Sequence, residues 1–352
     1  MANPTLQDVC RLAGTSDATA SMILNGNQAH KFRPETREKV LKAARQLGYV
    51  RQQAGQMLRT GRSYHIAILL NHLTNPFFSQ YASLLQQELL RRDYTAVSLE
   101  THGFTEEEDD LLRWLAERNI DGVINLQPFI TSDRETYEQF AARAPLVIRT
   151  GADRPAGDPV DTIAIDYRHG LEELAGHMSA MGCRRPGVLA VPHHMPGQAD
   201  GHDAPWTEQC RQAFAAAGIP IAEDHWFDAG PESELADWYE AARRLARSRL
   251  PIDGLVAHNA LVMPPVVAGL QEAGVTIGRD LAVATFDDPP ELRYLAGGIT
   301  TVYEPMEKIA GRLVEILLDR IADPQQPTTL QVEQPQLVIR GSTGDLKAAG
   351  GS

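Results

Sequence analysis

The sequence predicts a small all-α head of helix-turn-helix type joined to a much larger α/β body built on parallel sheet. Three observations carry this prediction. The first 50 or so residues break into three amphipathic helices with one tight turn between the first two. From Tyr64 onward, short apolar runs alternate with amphipathic segments, the texture of parallel strands linked by helices. Charge divides at the same place: residues 1–62 hold 10 Lys+Arg against 4 Asp+Glu, and the remainder holds 23 against 42. At 352 residues the chain is too long for one core and implies two or three domains.

Each element follows from local chemistry. Thr5 caps a first helix, with Asp8 in the position of an acidic capping box. Leu6, Val9 and Ala13 share one face of that helix, and Gly14 ends it, because a left-handed terminal residue is least costly for glycine. Ser16 caps the second helix, whose inner face is Ala20, Ile23 and Leu24, and Asn25-Gly26 closes it. The third opens at Pro34 and turns Val40, Leu41, Ala44 and Leu47 inward. This arrangement describes a helix-turn-helix DNA-binding unit. A plain helical cap on an enzyme has the same outline, but a basic head on an acidic body suits a phosphate-facing module. Tyr49–Arg62 then reads as a polar, basic linker, with Gly55 and Gly61 favouring a tether.

In the body, His65–Leu70, Thr95–Leu99, Gly122–Leu126, Pro145–Arg149, Thr162–Ile165, Gly187–Val191, Gly254–Ala257 and Leu281–Phe286 read as strands. Helices are predicted at Pro76–Arg92, Thr105–Arg118, Asp133–Arg143, Arg168–Met181, Trp206–Ala217, Leu235–Arg249 and Val262–Ala273. The acidic run Glu106–Asp110 is expected to be a solvated helix start.

Composition excludes several classes. No apolar run approaches the roughly 20 residues of a membrane span, and MANPTLQDV has no secretory pattern, so a cytoplasmic location is expected. Cys10, Cys183 and Cys210 are too scattered for a disulfide framework and are expected to be buried thiols. Neither G-x-G-x-x-G after a strand nor a P-loop is present, and no cofactor is expected. The loop from His193 to Asp203 holds residue types that suit zinc, but its spacing matches no ligand pattern and no metal is assigned. The alternative function, a cytoplasmic binding protein or enzyme on the same scaffold, would need a catalytic pair that is not visible.

TLQDVCRLAGTSDATASMILNG resembles the N-terminus of the lactose-repressor family of bacterial transcription regulators. RPETREKVLKAARQLGYV, LRTGRS, NPFF (Asn75–Phe78), DGVI (Asp121–Ile124), TFDDPP (Thr285–Pro290), TTV (Thr300–Val302) and LVIRGST (Leu337–Thr343) continue the likeness in order. The resemblance implies a head (1–50), a hinge helix (51–62) and a periplasmic-binding-protein-like effector module (63–343). That module has two doubly wound parallel-sheet subdomains, about 63–163 with 298–325 and about 164–297 with 326–343. The chain would cross between them near Asp161–Asp166, Pro289–Ile299 and Ala322–Leu330. Residues 344–352 are a tail without a leucine heptad, so a homodimer on double-stranded operator DNA is expected.

By the same resemblance, Thr5, Ser16, Asp17, Ala18, Thr19, Ser21, Met22 and Asn25 serve DNA binding, and Leu58 is the hinge wedge for the minor groove. Arg51 and Gly55 replace the usual proline and alanine of that hinge. Met22 replaces an arginine, which removes a bidentate guanine contact and shifts reading toward thymine methyls and an Asp17–cytosine contact. A sugar-like small effector is implied, held by Phe77, Phe78, Asp166, Trp206, Asn259 and Asp287, with one ring of the Phe pair in the core and the other at the cleft. Ala260 departs from the family's aspartate, Trp206 stands near a missing arginine, and Ala229 replaces a frequent aromatic.

Overall fold

Alternate residues of the first body strand point into two separate cores, which is why HIAILL is apolar throughout. Ile66, Ile68 and Leu70 enter one cluster, and Ala67 and Leu69 enter the other. A computed structural model describes residues 4–24, 31–49, 61–102, 105–126, 134–151, 160–190, 204–228, 234–247, 252–257 and 259–344. The expectations placed on Asn25, the hinge with Leu58, the His193–Asp203 loop and Ala229 lie outside these residues.

The chain divides into two units, Met1–Ser63 and Tyr64–Ser352. In the first, α1 (Leu6–Ala13), α2 (Asp17–Leu24) and α3 (Pro34–Leu47) enclose Val9, Ala20, Ile23, Val40, Ala43 and Ala44. Thr5 and Asp8 form a complete capping box, Gly14 takes φ 66°, and Pro34 stands at the first turn of α3. All three follow the local chemistry of helix ends.

The second unit contains two six-stranded sheets. In sheet A the order is β11-β5-β4-β3-β1-β2, and every pairing is parallel. Its strands are β1 (His65–Leu70), β2 (Thr95–Glu100), β3 (Gly122–Asn125), β4 (Leu146–Thr150), β5 (Asp161–Ile165) and β11 (Leu330–Glu333). One face carries α4 (Pro76–Leu90) and α11 (Met306–Ala322), the other α5 (Thr105–Ala116) and α6 (Arg134–Ala141). Sheet B runs β12-β10-β9-β8-β6-β7, parallel except for β12 against β10. Its strands are β6 (Pro186–Leu189), β7 (Trp226–Phe227), β8 (Gly254–Ala257), β9 (Ala282–Phe286), β10 (Thr300–Tyr303) and β12 (Gln336–Val338). It is covered by α7 (Tyr167–Ala180) and α8 (Ala204–Ala216) on one face and by α9 (Leu235–Arg247) and α10 (Met263–Glu272) on the other.

Three crossovers join the sheets, and two differ from the expected places. The first passes through Asp166, between β5 and α7. The second lies at Glu304–Pro305, not Pro289–Ile299, because Thr300, Thr301 and Val302 pair with Ala284, Thr285 and Phe286 of sheet B. The third lies at Gln334–Pro335, not Ala322–Leu330, because Leu330–Glu333 pairs in register with Thr162–Ile165 of sheet A. Residues 298–303 therefore belong with the second half and 326–333 with the first. The reason is burial: β10 is threonine-rich yet buried, while β11 is an edge strand whose exposed Leu330 and Val332 alternate with half-buried residues. The acidic helix start is not wholly solvated either. Glu108 is fully buried and accepts the Tyr137 hydroxyl.

Among the described residues no helix is long and apolar enough to cross a membrane, and no three His, Cys, Asp or Glu side chains gather as metal ligands. Cys10, Cys183 and Cys210 are free and buried.

Candidate functional site

Helix α2 buries one side against the head and exposes the other. Ala20 and Ile23 are buried, whereas Ser16, Asp17, Ala18 and Met22 are exposed and Thr19 and Ser21 half-buried. The Ser16 hydroxyl accepts the Thr19 amide at 3.3 Å and donates to the Thr19 hydroxyl at 3.0 Å. Met22 keeps 40% of its surface exposed, a large apolar side chain beside Ser16, Asp17 and Ala18. Thr5 is exposed but engaged, since Asp8 accepts its amide at 2.9 Å and its hydroxyl at 2.7 Å. Asp17 has a partner inside the head: it lies within hydrogen-bonding reach of the Cys10 thiol, which burial and this carboxylate together push up to about 11.

In the second unit, the carboxyl ends of β4 and β9 and the crossovers bring together charged and aromatic side chains. This is where open α/β sheets bind ligands. At its centre Glu304, only 1% exposed, faces Arg149 at 3%. The Arg149 Nε donates to Glu304 Oε2 at 3.2 Å, and its Nη2 donates to Glu304 Oε1 and, at 2.7 Å, to the Tyr167 hydroxyl. Glu304 also accepts the Tyr81 hydroxyl at 2.9 Å and that of Tyr167. Burial raises both phenols well above their ordinary range, so they remain protonated donors. Burial is the largest influence and opposes the Arg149 charge, but Glu304 together with the Tyr167 and Tyr81 oxygens outweighs it and the guanidinium stays cationic.

Around this pair stand the residues singled out from sequence. Asn75 caps α4 by accepting the Phe77 amide at 3.0 Å, and Pro76 opens that helix. Phe77 and Phe78, one expected in the core and the other at the cleft, are both buried in one core, 6% and 4% exposed. The Arg149 guanidinium, 5.0 Å from the Phe77 ring, occupies the space on its polar side. Asp166 serves as the cap of α7, accepting the Arg168 amide at 3.1 Å, which commits one of its carboxylate oxygens to the fold. Trp206 meets Phe286 edge-on at 5.7 Å, and Tyr167 meets the same ring at 5.9 Å. Asn259 follows β8 with its Oδ1 buried and without a donor.

Asp287 ends β9 in the left-handed region at φ 66°, a conformation that aspartate tolerates better than most residues. Its amide donates to Val302 at 3.1 Å, and its carboxylate accepts the Ala260 amide. Burial, with Glu304 nearby, pushes this carboxyl up to about 7 against the opposing pull of Arg149. Surface hollows lie elsewhere, one beside Gln271, Val275 and Ile277.

Arg149, Glu304, Tyr81 and Tyr167 were missed from sequence. One signal was available: LVIRT and TTVYEP each place a single charge at the end of an apolar or buried strand, which marks a sheet's binding edge as readily as its solvent edge.

Comparison with known proteins agrees with this architecture. Residues 5–52 match the family described as bacterial regulatory proteins, lacI family, and residues 175–343 match a periplasmic binding protein-like domain. A regulator of Streptomyces limosus, described as an uncharacterized HTH-type transcriptional regulator in the aml 5′ region, is 30% identical over 99% of this chain and 96% of its own. The HTH-type transcriptional repressor PurR of Photobacterium profundum is 27% identical over 97% of this chain and 99% of its own. A solved structure titled transcriptional regulator CelR-cellobiose complex is 25% identical, with a TM-score of 0.65 over 96% of this chain and 99% of that one. A helix-turn-helix head followed by a binding-protein-like body defines a DNA-binding transcription regulator, and not an enzyme. The chain belongs to the lacI family of bacterial regulatory proteins.

Proposed function

We propose that the protein is a cytoplasmic transcriptional repressor that binds operator DNA as a homodimer, its affinity set by a small sugar-like effector. The effector would lie between the two parallel-sheet halves. One observation carries this reading: Asp287, Asn259, Trp206 and Tyr167 stand at or beside the strand ends of sheet B and the adjoining crossover, a mixture of acceptors and aromatic faces. Stacking on an aromatic face and paired acceptance of hydroxyls are how a polyol is held. A homologous regulator solved with cellobiose is consistent with such a ligand.

The test is a thermal-shift screen of sugars, sugar phosphates and nucleosides, followed by operator binding with each stabilising compound. Asp287→Ala is expected to lower effector affinity at least tenfold, about 1.4 kcal/mol, while operator affinity without effector changes less than about twofold. An unchanged calorimetric affinity in the variant would remove Asp287 from the site.

For the head, we infer that Asp17, Ala18 and Met22 read base edges in the major groove. Selection on random duplexes should return half-sites rich in thymine opposite Met22. Restoring arginine by Met22→Arg should shift the preferred base to guanine, with discrimination of about 1–3 kcal/mol. A selected site that does not change with this substitution would show that Met22 does not touch bases.

A further inference from the structure

We propose that the effector carries a cationic, hydrogen-bond-donating group selected by Asp287 and Asn259, and that anionic ligands are rejected. The proposal rests on the reading of the strand-end cleft as the effector site and names the charge class that site accepts.

The first reason is that the guanidinium present is already committed. Arg149 gives Nε and Nη2 to Glu304 and Nη2 also to Tyr167, in a side chain 4% exposed. Glu304 in turn receives Arg149, Tyr81 and Tyr167. The charged groups that reach Asp287 are Glu304 and Arg149, and these two offset each other. Ionised Asp287 therefore has no charged partner of its own, and Asp166 adds a second carboxylate at the adjoining crossover.

The second reason is an excess of acceptors. Asn259 Oδ1, at the end of the neighbouring strand, is buried with no donor. A buried acceptor without a donor costs free energy that a ligand N–H would recover. The third reason is aromatic. Tyr167, Phe286 and Trp206 form an edge-to-face chain with centroids 5.9 and 5.7 Å apart. Ring faces attract cations, most strongly where water is excluded. Burial already holds the Asp287 carboxyl up to about 7, and a cation beside it would restore the ionised form. An anionic group in the same place would meet the Asp287 carboxylate, while Arg149 is already committed to Glu304.

The experiment uses three polyols of nearly equal shape and different charge: protonated tris(hydroxymethyl)aminomethane, neutral pentaerythritol and anionic 2,2-bis(hydroxymethyl)propionate. Melting of the full chain is followed near neutral pH at matched concentration and ionic strength. The cationic polyol is expected to raise the midpoint by about 3 °C, and the other two by less than about 0.5 °C. Asp287→Asn should abolish that rise while melting on its own as a folded protein, because asparagine also accepts the left-handed backbone. Equal stabilisation by the neutral or anionic polyol, or no stabilisation by any of the three, overturns the charge assignment. If pentaerythritol stabilises the wild type but not Asp287→Asn, the charge assignment fails and the effector-site reading stands. If the cationic rise survives in Asp287→Asn, both fail.

Discussion

Val40→Asp is expected to abolish operator binding, by at least 100-fold, while the melting of the larger unit moves by less than about 1 °C. Val40 is fully buried, packed with Val9, Ala20 and Ile23 at the centre of the head. An unpaired carboxylate placed there costs several kcal/mol, because no described neighbour in that cluster can neutralise it. The head spans only residues 1–63, and domains of that size fold with a few kcal/mol in hand. The substitution therefore unfolds the head outright. In the proposed homodimer both heads must be folded to bind a two-fold operator, so the loss in affinity is compounded. The larger unit has its own cores and should not register the change. Fluorescence anisotropy on operator DNA and circular dichroism melting measure the two effects. A parallel drop in the melting of the larger unit would show that the two units are not independent.

Removing one member of the Arg149–Glu304 pair is expected to have the largest effect on the larger unit. Both groups are almost completely buried, and each satisfies the other's charge together with the hydroxyls of Tyr81 and Tyr167. Glu304→Ala leaves the guanidinium uncompensated and two phenols without their acceptor, at a cost of about 3–5 kcal/mol. For a unit of this size that corresponds to a midpoint lower by roughly 10 °C. Arg149→Met alone should cost a similar amount, since it leaves a bare carboxylate in the same place. The double variant Arg149→Met with Glu304→Gln should recover more than half of either loss. Glutamine keeps an acceptor oxygen for one phenol and offers an amide N–H to the other phenol's oxygen, and no net charge remains buried. Additive losses in the double variant, measured by urea denaturation, would show that the two charges are not coupled.

The pair also links elements of both halves. Arg149 comes from β4 and Tyr81 from α4, both in the sheet A half, Tyr167 opens the first helix of the sheet B half, and Glu304 lies on the second crossover. The network therefore spans both halves of the fold. Loss of the pair should loosen the relation between the halves as well as lower stability.

Much of this organisation was legible in the sequence because it is local. Thr5 with Asp8, Gly14, and Pro34 specify helix ends through contacts a few residues long, and the periodicity of Ala20 and Ile23 separates the buried face of α2 from Asp17, Ala18 and Met22. HIAILL, apolar throughout, fits a strand buried on both faces. The alternation of strand and helix from Tyr64 onward then requires parallel sheet, since each helix returns the chain to the same sheet edge.

What only the tertiary structure decided depends on partners far apart in the chain. Whether TTVY joins the first or the second sheet is set by its pairing with β9, and no property of four residues encodes it. The exposed alternation of β11 concealed a strand that pairs with β5. The charges of Arg149 and Glu304 gave no sign of their partnership, because 155 positions separate them and each alone looks like the polar end of a strand. Burial turned two such ends into one neutral pair. Local sequence dictates how each element begins and ends, while the balance of charge inside a site is a property of the assembled fold.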